Sequence, residues 1–203
     1  MSSPDYVSQK HQDILKELAN IGVGSAVTAL STMMENQRID MKVPVVALTS
    51  LQDVTDHFGD PESPVAATYC EADCPELGLV IVFVLPLEAA RRIIARLMPD
   101  HESDNDDMER SLLMELGNIV TASYLNALSF MTGLTIHATP PKLGVDMAGA
   151  ILGTVIAETK NVEDYLILLK TELEIAYDGI EGSILILPDS GSLGKFFTCL
   201  GVE

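Results

Sequence analysis

The strongest constraint on the fold is that part of this chain is written twice. Lys16–Gly22 reads KELANIG, and Met114–Val120 reads MELGNIV. Each stretch lies in an apolar, Ala-rich run with helical spacing, and each sets a Glu and an Asn three residues apart. Asn is a poor helix-interior residue because its amide competes for backbone hydrogen bonds. A chain that repeats such an exception is expected to fold as two related halves.

The rest of the pattern also comes round twice. Ile14, Leu18, Ile21 and Ser25 fall on one stripe and predict a helix from Asp13 to about Met34. Arg38–Ser50 reads as a strand in which Pro44 marks an edge, a bulge or a turn, and residues 51–59 as a short helix or loop. Strands follow at 64–72 and at Gly78–Leu87, separated by a turn at Asp73-Cys74-Pro75, then a helix from Pro86 to about Leu97. After an acidic stretch the order resumes: a helix at about 107–131, a strand at 135–138, Pro140-Pro141, a helix near 147–157, strands at 165–176 and 182–187, and a helix at 191–200. The halves end in similar phrases, VFVLPLEAARRIIARL and ILILPDSGSLGKFFTCL. The expectation is an α+β, two-layer fold, internally duplicated about a pseudo-twofold axis, with helices packed on a β-sheet and the motif helices exposed. It makes residues 1–203 one domain of two repeats, 11–99 and 107–200, joined by a linker at 100–109.

That linker carries six acidic residues, which invites a calcium loop. A twelve-residue loop from Asp100 would place Asn105 where Gly is required and Ser111 where a bidentate Glu is required. A solvated connector with acids at a helix N-terminus is the better reading. The formal charge of -18 repels nucleic acid and anionic membranes, while 47% hydrophobic residues supply a core. Gly78–Leu87 is too short for a bilayer, which needs about 20 residues, and the polar N-terminus lacks a signal sequence, so no membrane insertion and a cytoplasmic location are expected. Cys70, Cys74 and Cys199 are an odd set with no further Cys or His at zinc-ligand spacing, and read as reduced thiols; no metal site is expected. His11, His57, His101 and His137 lack nucleophile or acid partners at triad spacing, and no Walker or dinucleotide loop appears. The glycines after Asn20 read as a site of close helix packing.

At about 100° per residue, one helix face collects Asp13, Glu17, Asn20, Gly24 and Ser31, and the other Ser111, Glu115, Asn118, Ala122 and Ser129. Each face carries a carboxylate and an amide side by side, with a small residue one turn later that leaves room for another surface. One Glu–Asn pair on a solvated helix is commonplace; two with the same flanks are a pattern. The second copy reads Ser111, Glu115, Asn118, twenty-two residues, Pro141; the first reads Asp13, Glu17, Asn20, twenty-three residues, Pro44.

These residues resemble the signature of the CheC/CheX/FliY family of chemotaxis phosphatases: Asp or Ser, three residues, Glu, two residues, Asn, twenty-two residues, Pro. The second copy fits throughout. The first has one extra residue, most simply placed in the MMENQRID turn. Two motif copies and the chain length are similar to the CheC type; FliY-type members carry a further flagellar-switch domain for which this chain has no length. The resemblance implies a protein aspartyl-phosphate phosphatase acting on phosphorylated CheY. Asn20 and Asn118 would orient the attacking water, and Glu17 and Glu115 would pair with the regulator's active-site Lys. Asp13, Pro44, Ser111 and Pro141 would support the motifs. It implies no cofactor of the protein's own, since the regulator brings Mg²⁺. It also implies binding of the receptor deamidase CheD through a helical region at 144–160, with Asp146 the contact. The alternative is a non-catalytic or weakly catalytic adaptor that binds CheD, CheY or both.

Overall fold

A computed structural model describes residues 8–34, 38–58, 60–99, 106–159, 163–175 and 178–202. His101 and residues 100–105 of the acidic stretch lie outside these. The elements run α1 (Gln9–Met33), β1 (Ile39–Ser50), a 3-10 helix (Val54–Phe58), β2 (Pro64–Asp73), β3 (Leu79–Pro86) and α2 (Leu87–Leu97). Then come α3 (Asp106–Thr132), β4 (His137–Ala138), β5 (Lys142–Met147), α4 (Ala148–Glu158), β6 (Tyr165–Ile175), β7 (Asp178–Pro188) and α5 (Ser192–Cys199).

Local chemistry accounts for the long helices. Leu15, Leu18, Ala19, Gly22, Ala26 and Leu30 form the buried stripe of α1. The helix starts on Ser8, whose backbone N–H donates to His11 Nδ1 at 3.2 Å, and the buried His11 ring meets Phe197 of α5 edge-on at 4.4 Å. His11 is therefore a cap and core residue. In α3, Asp106, Asp107 and Glu109 sit in the first turn, where the helix dipole favours anions, and these last residues of the expected linker are helix. Gly133, at φ 70°, ends α3 in the left-handed conformation that costs glycine nothing.

All pairings in the sheet are antiparallel, in the order β1-β6-β7-β3-β2, with β4 and β5 along the outer edge of β2. The first long strand of each half thus pairs with the other half: β1 with β6, and β5 with β2. Neither half completes its own sheet, and the β3–β7 pair at the centre marks the pseudo-twofold.

Both edges carry the same irregularity. Lys42 pairs with Glu172 and Val45 with Lys170, so Val43 and Pro44 stand opposite Thr171 alone. Ala138 pairs with Ala72 and Lys142 with Tyr69, so residues 139–141 stand opposite two. One residue is in excess each time, and a proline, which lacks the N–H a ladder needs, sits in each bulge. Pro44 and Pro141 are thus structural counterparts. The extra residue of the first copy falls before the bulge, between α1 and β1, part of which lies outside the described residues.

Two cores flank the sheet. The larger packs α1, α2, α3 and α5 against one face, with Leu18, Leu30, Leu116, Leu128 and Phe196 fully buried. The smaller packs α4 and Val54 of the 3-10 helix against the other, over Val80, Val82, Leu166, Leu168 and Leu185. Central strand β3 is covered on both sides, which explains its unbroken apolar run.

Candidate functional site

Each motif side chain is placed by the buried stripe of its own helix. With Leu18, Ala19 and Gly22 fixed in the core, Glu17 and Asn20 turn to solvent together with Asp13 and Gly24. With Leu113, Leu116, Gly117 and Val120 fixed, Ser111 and Glu115 are exposed and Asn118 is half-buried. Among the described residues, the side chains of Glu17, Asn20, Glu115 and Asn118 make no hydrogen bond or ion pair; Asp13 Oδ1 accepts one from Gln9 Nε2 at 2.9 Å. Four unsatisfied functional groups on rigid helices can engage a partner without first breaking internal contacts.

Two glycine contacts beneath the motifs, which the spacing alone does not announce, seat these helices. Gly22, two residues after Asn20, lies against the Tyr124 ring of α3, where a Cβ would stand 2.7 Å from ring carbons. This is the close packing expected of the GVGSA stretch, whereas Gly24 meets nothing within 4 Å. Gly117, next to Asn118, lies on Thr68 of β2, with no room for a Cβ, and Thr68 Oγ1 donates to Leu113 O at 3.4 Å. The signal in the sequence was a glycine inside a helix, beside the motif, where Ala would be more stable by about 1 kcal/mol. The copies differ here: Ala19 takes the place of Gly117, and Val120 that of Gly22.

The prolines of the signature stay on the edge strands. Asp146 is exposed at the end of β5, opposite Val65, with its Oδ1 accepting the Met147 N–H at 2.7 Å. The expectation that it lies in a helical segment is corrected: Gly144–Met147 is strand because it pairs with β2, and the helix begins only at Ala148. Val145 and Met147 flank it, 42% and 51% exposed.

The other candidate chemistry resolves into structure. Cys70 and Cys74 are buried and Cys199 is half-buried, all as free thiols; burial pushes the Cys70 thiol up. His57 lies 3.5 Å from Thr49 Oγ1, and desolvation followed by the nearby Lys170 lowers its pKa. His137 is exposed on β4. Among the described residues no three His, Cys, Asp or Glu side chains gather as metal ligands, and no helix is long and apolar enough to cross a membrane.

The sequence profile of the CheC-like family matches residues 11–48 and 108–145, each segment running from motif helix to bulged edge strand. The CheY-P phosphatase CheC of Bacillus subtilis is 32% identical over the full length of both chains. The crystal structure of Thermotoga maritima FliY superposes with a TM-score of 0.75 at 23% identity, over 97% of this chain and 98% of that one. CheX, in its complex with CheY, BeF3 and Mg²⁺ from Borrelia burgdorferi, shares the fold with a TM-score of 0.51 at 18% identity, over 84% of this chain and 96% of that one.

Proposed function

This chain belongs to the CheC-like family, and from that premise we propose that it is a chemotaxis phosphatase that hydrolyses the aspartyl phosphate of a CheY-type response regulator. The observation that carries the reading is the duplicated Glu–Asn pair on two helices related by the pseudo-twofold: Glu17, Asn20 and Glu115 are exposed, Asn118 is half-buried, and none of the four side chains has a partner among the described residues. The full-length similarity to a CheY-P phosphatase supports it.

An acyl phosphate is a reactive mixed anhydride, and its hydrolysis needs chiefly a water in line with the P–O bond. Positioning and electrostatics supply most of the acceleration. Asn20 or Asn118 holds that water, since an amide donates and accepts hydrogen bonds without a charge that repels the phosphoryl group. The water oxygen forms the new bond to phosphorus, the bond to the aspartyl oxygen breaks, and the Asp carboxylate and inorganic phosphate are released. The regulator's Mg²⁺ belongs to the substrate and absorbs charge there. Glu17 or Glu115, one turn earlier, pairs with the regulator's active-site Lys and fixes the docking geometry. On this reading the protein works in the cytoplasm with its regulator.

The same family resemblance suggests CheD as a second partner. The edge formed by Val145, Asp146 and Met147 with α4 is the surface we assign to it, since two large apolar side chains are exposed there on an unpaired strand edge. Phosphate release from phosphorylated CheY tests the catalytic reading: the protein should accelerate it well beyond the regulator's own rate, and Glu17→Gln with Glu115→Gln should raise KM more than they lower kcat. No acceleration would refute the reading. Loss of CheD capture by Asp146→Lys, with CheY dephosphorylation intact, tests the second partner separately.

A further inference from the structure

The pseudo-twofold leaves one seat open. The register that superposes the two proline bulges sets Cys70 on Thr171, hence Tyr69 on Lys170, Val80 on Glu181 and Val82 on Ser183. Val80 and Val82, with Tyr69 packed against them, belong to the apolar surface beneath α4. In the other half the connection after β1 forms only the 3-10 helix, and a groove of about 480 Å³ remains between Pro44, Val45, His57, Pro64, Val65, Val84, Pro86 and the three polar replacements.

The polar groups of that groove are arranged in two rows. In the first, Val45, Lys170, Ser183 and Val84 stand directly opposite one another across β1, β6, β7 and β3. In the second, one pleat away and about 7 Å along β6, stand Lys42, Glu172 and Glu181. Ser183 is 93% buried on the groove face, since its residue exposure is 7%, and its hydroxyl has no hydrogen-bond partner among the described residues. Lys170 is half-buried and makes no ion pair among the described residues, in a chain with 30 acidic residues. Glu172 and Glu181, both exposed at the rim of the groove, face each other as like charges, with no cation within salt-bridge distance among the described residues; Lys42 has Asp40 at 3.9 Å. Directly opposed like charges are unfavourable, as is a half-buried ammonium without a counter-charge.

We propose that this groove binds a small zwitterion of the α-amino-acid class. Its carboxylate sits between Lys170 Nζ and Ser183 Oγ, its ammonium between Glu172 and Glu181, and its side chain on Val45, Val65 and Val84. A purely anionic ligand would meet the glutamate pair, and a purely cationic one Lys170, so the two rows together select the dipolar species. Next to the row of Lys170, His57 is favoured in its neutral form by burial and by that lysine, and adds no second cation.

The test is calorimetric titration of the full chain with L-valine, L-leucine and L-methionine, and with the two single-charge relatives of leucine, 4-methylpentanoate and 3-methylbutylamine. Saturable binding of at least one amino acid with Kd at or below about 1 mM is expected, with each single-charge relative at least tenfold weaker. Lys170→Met and Glu181→Gln should each weaken the amino acid about tenfold while the thermal midpoint stays near that of the parent. Absence of saturable binding for all three amino acids, equal binding of a single-charge relative, or binding unchanged in both variants would each overturn the proposal. Phosphatase activity plays no part in this readout.

Discussion

The contact between Gly22 and Tyr124 offers a stability experiment with its own control two residues away. An alanine Cβ at Gly22 would lie 2.7 Å from Tyr124 Cδ1 and Cε1 and 2.9 Å from Cγ. Carbon atoms settle at about 3.5–4.0 Å, so α1 and the ring must separate by about 1 Å. Tyr124 is fully buried, and its rigid ring cannot swing out to solvent. Overpacking of this kind costs about 1–3 kcal/mol, against about 1 kcal/mol gained by replacing a helical glycine. Gly22→Ala should therefore destabilise by about 0–2 kcal/mol. Gly24→Ala gains the same propensity with nothing within 4 Å of the new methyl, and should stabilise by about 1 kcal/mol. In the difference between the two variants the propensity cancels, leaving the packing cost of about 1–3 kcal/mol. Urea unfolding followed by circular dichroism, with a common slope, measures this difference. If Gly22→Ala proves as stable as Gly24→Ala, the close seating of α1 on α3 is wrong.

Two other predictions concern titratable groups. His57 has a folded pKa below its ordinary 6.5, so on acidification the unfolded chain takes up the proton first, and the stability owed to this group is lost as pH falls through and below 6.5. Urea midpoints at about pH 7.5 and about pH 5.5 should drop less in His57→Asn than in the parent; equal drops would contradict the assignment. Among the thiols, Cys199 should react with a disulfide reagent in the native protein before Cys70 and Cys74, which are buried, and Cys70 has a raised pKa as well. Peptide mapping of the labelled protein reads the order, and early labelling of Cys70 would refute it.

Much of this structure was legible in the sequence because helix and strand periods are local. The helical period of α1, the continuous run of β3 and the Pro44 irregularity announce themselves within a dozen residues. The stripe expected through Ile14, Leu18, Ile21 and Ser25 is corrected: Ser25 is exposed, and Leu15, Leu18, Ala19 and Gly22 face the core because α1 packs on α3. The sheet order did not, because pairing β1 with β6 and β5 with β2 is a long-range choice that leaves no local trace. The shared phrases VFVLP and ILILP misalign by one residue: the bulge register sets Pro86 on Leu187, which keeps Leu85 and Ile186 on the same face of the sheet. The helical region that the family resemblance implies at 144–160 begins only at Ala148, because Gly144–Met147, with Asp146, pairs with β2, a long-range choice that the local sequence does not show. The open seat beside the 3-10 helix was invisible for the opposite reason: it is an absence in one half, defined by what α4 fills in the other.

Asn20 and Asn118 were legible as exceptions to helix propensity, and that exception also provides the most direct test of their role. Replacing a helical Asn by Ala improves propensity by roughly 0.5 kcal/mol, and neither the exposed Asn20 nor the half-buried Asn118 has a side-chain partner to lose among the described residues, so the double variant Asn20→Ala with Asn118→Ala should be at least as stable as the parent. A purely structural pair would leave such a variant active. The decisive measurement is the rate of phosphate release from phosphorylated CheY in the presence of this variant. The account predicts a fall to the regulator's own rate with an unchanged or raised unfolding midpoint; release as fast as with the parent protein would contradict it.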